Sequence, residues 1–269
     1  MSQATLVGFL LGIGLFVGSI VLSTNDFLIF LQPEGFIMVF GGTLAATFVA
    51  FESSYILRTF RLIGSIFFTQ KIGRTILTNE VGRVIRWGYM VQKGGMPALE
   101  ADARRLRNQD RFMAFGIDLV VSGYSGQEVR DILANTVETS FNRNTIPVDI
   151  LRAMANNAPA FGMIATLVGL VIMLNSMGSD PSKVGSGMAM GLMGTLYGVS
   201  FARLILLPVA SKLQQREEIV RFRNYLVAEG LALLAERRSP RYIQDKMNSF
   251  LEPGRHFDID RMMRGVKTP

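Results

Sequence analysis

The sequence predicts an all-α integral membrane protein with four transmembrane helices, a helical cytoplasmic domain between the second and third, and a helical cytoplasmic tail. Three observations carry this. Four runs, roughly 4–22, 36–51, 159–177 and 187–207, are apolar and almost free of charge. Of the 28 Lys and Arg residues, 14 fall between 52 and 157 and 12 follow Pro208. No stretch of any length alternates apolar and polar residues as a strand would. A chain of 269 residues could form one or two soluble domains, but 49% apolar content with its charges gathered in blocks overrules that reading.

The first run lacks a basic segment ahead of it and is long enough to stay in the membrane, unlike a cleavable signal. Its Gly8-x-x-x-Gly12 and Gly14-x-x-x-Gly18 pairs stand at helix-contact spacing. The loop 23–35 carries Asp26 and Glu34 and no cation. The second run is short against the roughly 20 residues a span needs, and is rich in small residues at Phe40-Gly41-Gly42-Thr43-Leu44-Ala45-Ala46. Tyr55 to Phe68 mixes Arg58 and Arg61 with aromatic and aliphatic residues, the pattern of an amphipathic helix at the membrane surface.

Residues 73–145 read as soluble helices broken at Gly94-Gly95, around Asn108–Asp110 and at Gly123 to Gly126. Ser125 with Glu128 is a capping box opening a helix over 126–141. Pro147 suits the first turn of a new helix, which would run to 177, about 45 Å. The loop 178–186 holds only Asp180 and Lys183, so both short loops face out of the cytoplasm, and the basic blocks and both termini face in. Beyond the fourth run, an amphipathic helix over 209–236 stops near Ser239-Pro240, a shorter helix covers 241–251, and the end is polar. The chain thus divides into an N-terminal hairpin (1–52), a cytoplasmic helical domain (53–157), the third and fourth spans (158–210) and the tail (211–269).

The chemistry is concentrated in the last two spans. The run Ala158-Pro159-Ala160-Phe161-Gly162-Met163-Ile164-Ala165-Thr166-Leu167-Val168-Gly169-Leu170 is thinned at Gly162, Thr166 and Gly169, so a neighbouring helix can approach closely. Gly187, Gly191, Gly194 and Gly198 form a ladder at helical spacing in the fourth span. The hydroxyls of Thr166 and Thr195 either bond back to their own helices or line a polar path between helices. Pro159 and Pro208 each remove a backbone donor and make flex points. Arg203, one turn before Pro208, is placed to reach the inner interface or a partner's acid.

No acidic residue lies in 159–177 or 187–207, and the lone His256 is in the tail. If protons cross here, the titrating carboxylate must come from a partner; otherwise the helices are a scaffold. There is no cysteine for disulfides, no phosphate-binding Gly loop, no nucleophile triad and no metal cluster, so the sequence predicts no enzyme and no cofactor. The sequence pI near 10.0 reflects cations flanking the spans, which fits topology and anionic membrane lipid rather than nucleic acid. A self-contained transporter would need a charged or unwound binding site inside the membrane, and none is visible.

The block Ala158-Pro159-Ala160-x-Gly162-Met163-Ile164-x-Thr166-Leu167-Val168-Gly169-Leu170 resembles the third span of the MotA/PomA flagellar stator family. Gly194-Thr195-Leu196-Tyr197-Gly198 followed by Pro208, Phe40-Gly41-Gly42-Thr43, and Lys93-Gly94-Gly95 with Leu99-Glu100 are similar to that family too. The resemblance covers roughly 1–250. The related TolQ and ExbB energisers lack the N-terminal hairpin, so a TolQ/ExbB-like energiser of another envelope process is the second reading. The resemblance implies a homopentamer in the bacterial inner membrane around two copies of a MotB/PomB-type partner that supplies a transmembrane Asp. Flow of Na⁺ or H⁺ through the complex would turn the rotor protein FliG. It also implies that Pro159 and Pro208 couple ion passage to helix movement and that Thr166 and Thr195 lie near the ion path. Thr166 is similar to sodium-driven members and Gly194 to the proton type; a hydroxyl oxygen able to replace water on Na⁺ favours sodium. Rotor contact would fall to Lys93 and Glu100, with Arg86, Arg104 and Arg105 nearby, although the family's Arg two residues before the Gly pair is Gln92 here.

Overall fold

A computed structural model describes residues 3–25, 27–66, 74–106, 110–178 and 181–257, and among them there is helix and no strand. Helix α1 (Gln3–Ser23) is followed by a 3-10 turn, Phe27–Phe30, and by α2 (Pro33–Ala50). Then come α3 (Ser53–Ser65), α4 (Arg74–Leu106), α5 (Arg111–Val121) and α6 (Gly126–Ser176). Helix α7 occupies 181–235 as Pro181–Ser200, a π-helical stretch Phe201–Leu206, and Leu207–Ala235; α8 is Pro240–Asn248. The described residues form two compact units, one from 1–70 and 144–215, the other from 71–143 and 216–269.

The first unit holds the four helices long and apolar enough to cross a membrane: Leu6–Ser23, Pro33–Ala50 and stretches of α6 and α7. The second span starts at Pro33 rather than at 36. Pro33 sits in the first turn, where its missing N–H costs nothing, and the helix gains the length its apolar core lacks. Glu34 therefore belongs to this helix and not to a loop. Asp26 and Asp180, and the side chain of Lys183, lie outside the described residues.

Helix α1 makes little contact with the rest of the chain. None of Leu6–Ser23 is buried within the chain, and a Cβ added at Gly8, Gly12, Gly14 or Gly18 would meet nothing within 4 Å. At these glycines no other helix of this chain comes within contact distance. Helix α3 behaves as an amphipathic surface helix, burying Ile56 and Thr59 while Leu57 and Arg58 face outward; Phe67 and Phe68 lie outside the described residues. Arg58 donates to Asn144 Oδ1 at 3.1 Å.

Pro147 does not start a helix. It lies inside the 51-residue α6, which continues from Gly126 without a break. The lost hydrogen bond and ring clash cost about 3 kcal/mol. Burial of the next turn offsets that, because Val148, Ile150, Leu151 and Met154 pack with Leu206, Val209, Ala210 and Leu213.

In the second unit, α4 reverses at Gly95, whose φ of 70° suits glycine. Trp87 and Asp102 would stand about 22 Å apart on a straight helix. Instead Trp87 Nε1 donates to Asp102 Oδ2 at 2.6 Å, and Leu99 is folded into the core with Val84, Ile85, Met113 and Ile117. Asp110 caps α5 by accepting from Met113 N at 3.0 Å. The capping box forms as the spacing predicts: Ser125 N donates to Glu128 Oε2 at 2.8 Å, and Glu128 N donates to Ser125 Oγ at 3.3 Å. The Ser125 backbone N–H, then its hydroxyl, hold the Glu128 carboxyl below its ordinary value.

Arg223 is the electrostatic centre of this unit. Its guanidinium donates to Glu80 Oε1 at 2.7 Å and pairs with Asp110 Oδ2. Burial opposes the charge, yet the bonds to Asp110 and Glu80 outweigh it and raise the Arg223 pKa. Replacing Arg223 by Met would leave two partly buried carboxylates facing each other. The expected loss is about 3–5 kcal/mol, measured by thermal unfolding of the purified protein, with partial recovery on adding Glu80→Gln. A loss below about 1 kcal/mol would mean that solvent screens the pair.

Candidate functional site

Helices α6 and α7 meet in antiparallel register along a seam almost devoid of side chains. A Cβ on Gly162 would sit 2.9 Å from Gly194 O and 3.0 Å from Thr195 Cα. One on Gly169 would sit 2.9 Å from Gly191 N, one on Gly187 2.7 Å from Gly169 O, and one on Gly191 3.1 Å from Thr166 Cα. At the far end Gly198 packs on the first proline, with its imagined Cβ 3.1 Å from Pro159 Cα. Five glycines expected to pack helices, at 162, 169, 191, 194 and 198, are therefore brought together, and Pro159 with them.

The two hydroxyls meet in the middle of this seam. Thr166 Oγ1 lies 2.7 Å from Thr195 Oγ1, 3.1 Å from Gly162 O and 3.0 Å from Gly191 O. Thr195 Oγ1 is 3.3 Å from Gly162 O. Thr166 Oγ1 is within reach of a carbonyl of its own helix and of one on the next, whereas Thr195 Oγ1 reaches across to α6. Each hydroxyl has one proton to donate, so the four oxygens share two protons and retain spare lone pairs. Both threonines stay half-exposed. An oxygen-only cluster in a low-dielectric seam presents the negative ends of its dipoles, which favours a cation.

Pro208 is not part of this cluster. Its ring would clash with the Leu204 carbonyl and it has no N–H to offer that carbonyl. The helix accommodates it with the π-helical stretch Phe201–Leu206, where Leu207 N donates to Ala202 O, five residues back. A second π-helical stretch, Ile37–Gly41, lies in α2, and Phe40 and Phe201 from the two stretches are 4.5 Å apart.

Sequence reasoning missed two contributors. Tyr197 accepts from Gln32 N at 3.0 Å and donates to Phe30 O, fixing the start of α2 to α7. Gly35 lets α2 approach Gly194, where an added Cβ would lie 3.3 Å from Gly194 N. A Gly two residues after the Pro that opens a helix was a readable signal for that contact.

In the other unit, Arg86 and Lys93 are exposed and share one shallow depression with Tyr89 and Met90 on one face of α4. Gln92 lines a separate cavity of about 240 Å³ with Arg237 and Arg238. Glu100 follows the Gly95 reversal and is half-buried. The side chains of Arg104 and Arg105 lie outside the described residues. Among the described residues no group of three or more His, Asp or Glu side chains could hold a metal ion.

These features define a multi-pass helical membrane protein with a polar oxygen cluster in an otherwise apolar helix seam. Residues 105–223 match the MotA/TolQ/ExbB proton channel family. The chemotaxis protein PomA of Vibrio alginolyticus is 30% identical over 261 residues, which is 97% of this chain and 100% of that protein. Among solved structures, C. jejuni MotAB gives a TM-score of 0.82 at 17% identity, covering 94% of this chain and 97% of that one. The flagellar MotAB stator complex from Bacillus subtilis gives 0.81 at 23%, covering 96% and 98%, so these two share the fold. The chain belongs to the MotA/PomA family of flagellar stator subunits. Members of the family are ion-channel components and not enzymes.

The seam's tolerance can be measured. Gly169→Ala should destabilise the purified protein by about 1–3 kcal/mol, because the new methyl meets backbone rather than a movable side chain. Gly41→Ala is the control, with only Ile37 Cγ2 at 4.0 Å. Equal thermal midpoints for the two variants would show that the helices are not in close contact.

Proposed function

We propose that this stator subunit couples cation flow, with sodium favoured over protons, to torque on the flagellar rotor. The observation that carries the reading is the Thr166–Thr195 oxygen cluster in a seam whose two spans contain no acid. Such a cluster can strip water from a passing cation, but it has no charge to hold one. A MotB/PomB-type partner, two copies within a ring of five of these chains, would bring the carboxylate. The relatives named MotAB are complexes, which supports a partner of that kind. The outward apolar faces of α6, with Met163, Leu167, Val171 and Leu174 exposed, leave surface for the partner and the neighbouring copies to cover.

Movement would pass through two yielding points. Pro159 rests on Gly198 within the seam, so a change of helix direction there would pass straight to α7, and Pro208 is relieved by a π-helical stretch beyond it. With both termini and the second unit in the cytoplasm, Arg86 and Lys93 on their shared face, together with Glu100, Arg104 and Arg105, would meet FliG.

Thr166→Ala tests the reading. Losing one membrane hydrogen bond typically costs only about 0.6 kcal/mol, so assembly should survive. Swimming speed measured against external Na⁺ at fixed pH should fall and demand more sodium, and Thr166→Ser should restore it. A wild type indifferent to Na⁺ but stopped by a protonophore would overturn the sodium assignment. A Thr166→Ala strain swimming like wild type would reduce the residue to packing.

A further inference from the structure

We propose that each copy seats one anionic phospholipid of the inner leaflet, its phosphate on Arg203 and an acyl chain in the groove between α1, α2 and α7. Two cavities of about 300 and 500 Å³ share the walls Ile13, Leu204 and Ile205, and so lie end to end along α1. The smaller one contains Arg203, Gly8, Gly12 and Pro208; the larger is walled by aromatic side chains such as Phe16, Phe36 and Phe40. At the outer end, Gln32 N and the Tyr197 hydroxyl satisfy each other and Phe30 O. Among the described residues, Arg203 is the only charged side chain lining either cavity. It is exposed, and among the described residues no carboxylate pairs with it.

Length and charge select the occupant. From Arg203 to Tyr197 is about 9 Å of helix, which seats the first part of an acyl chain and stays within one leaflet of a hydrocarbon core of about 30 Å. Gly8 and Gly12 line this groove with nothing within 4 Å of an added Cβ, so no side chain closes it on that side. A second copy of this chain would have to answer Arg203, yet the one carboxylate in its four spans is Glu34, in the first turn of α2 at the end tied to Tyr197 and not at the Arg203 end of the groove. An anionic headgroup at the membrane boundary supplies the missing charge while its tail fills the apolar length. The leaflet follows from the orientation proposed above; the groove and its cation do not.

The chain has no cysteine, so a bimane probe can be attached at Gly12→Cys alone. The full chain is reconstituted in vesicles containing either phosphatidylglycerol or phosphatidylcholine brominated on the acyl chain, and bimane quenching is read. Quenching should be efficient, with about fivefold preference for phosphatidylglycerol. Arg203→Gln should bring that preference to one, and Arg203→Lys should keep most of it. The measurement is independent of motility, so it stands whether or not Thr166 governs ion use. Equal quenching by both lipids in the wild type would overturn the headgroup assignment. Quenching by neither would mean that protein, not lipid, covers the groove.

Discussion

The rest of this structure depends on how closely two backbones approach. Along α6 and α7, glycine at 162, 169, 187, 191, 194 and 198 removes the side chains that normally hold helices 8–10 Å apart. Only at that spacing can Thr166 Oγ1 reach across to Thr195 Oγ1 and to the Gly191 carbonyl. The same closeness draws in α2 through Gly35 and places Gly198 against Pro159. In a bilayer no hydrophobic force drives helices against one another, so contact between backbones and interhelical hydrogen bonds must hold them.

That arrangement explains why the two prolines differ. Pro159 is inside the seam and braced by Gly198, and α6 runs through it as α-helix. Pro208 is beyond the glycine seam, where α7 packs on α6 through side chains such as Leu206 and Val209, and the π-helical stretch forms there. The matching stretch in α2 touches it through Phe40 and Phe201. Both helices therefore depart from α-helical geometry at one shared contact, a feature frequent at functional sites.

Much of this was legible in the residues. Hydropathy and charge placement predict the spans, and the small-residue spacing in the third and fourth predicts the seam. What could not be read has physical causes. Pro147 looks like a helix start because local propensity penalises it; burial of Val148 and Leu151 overrides that. The glycines of α1 share the spacing of the seam glycines but meet no helix of this chain, and spacing alone does not say which neighbour a glycine face serves. The second span's start depends on Pro33 taking the first turn, where its lack of a donor is harmless. Tyr197 reads as one more aromatic in a span until its hydroxyl is seen to tie down the Phe30 carbonyl.

The central claim is that cations pass the Thr166–Thr195 oxygens. Thr195→Cys in this cysteine-free chain allows a direct test with a small cationic thiol reagent, methanethiosulfonate ethylammonium, added to rotating cells. Modification should arrest rotation, and raising external Na⁺ should slow the arrest, because the reagent and the ion compete for one passage. Rotation that continues after mass spectrometry shows the introduced thiol fully modified would contradict the account.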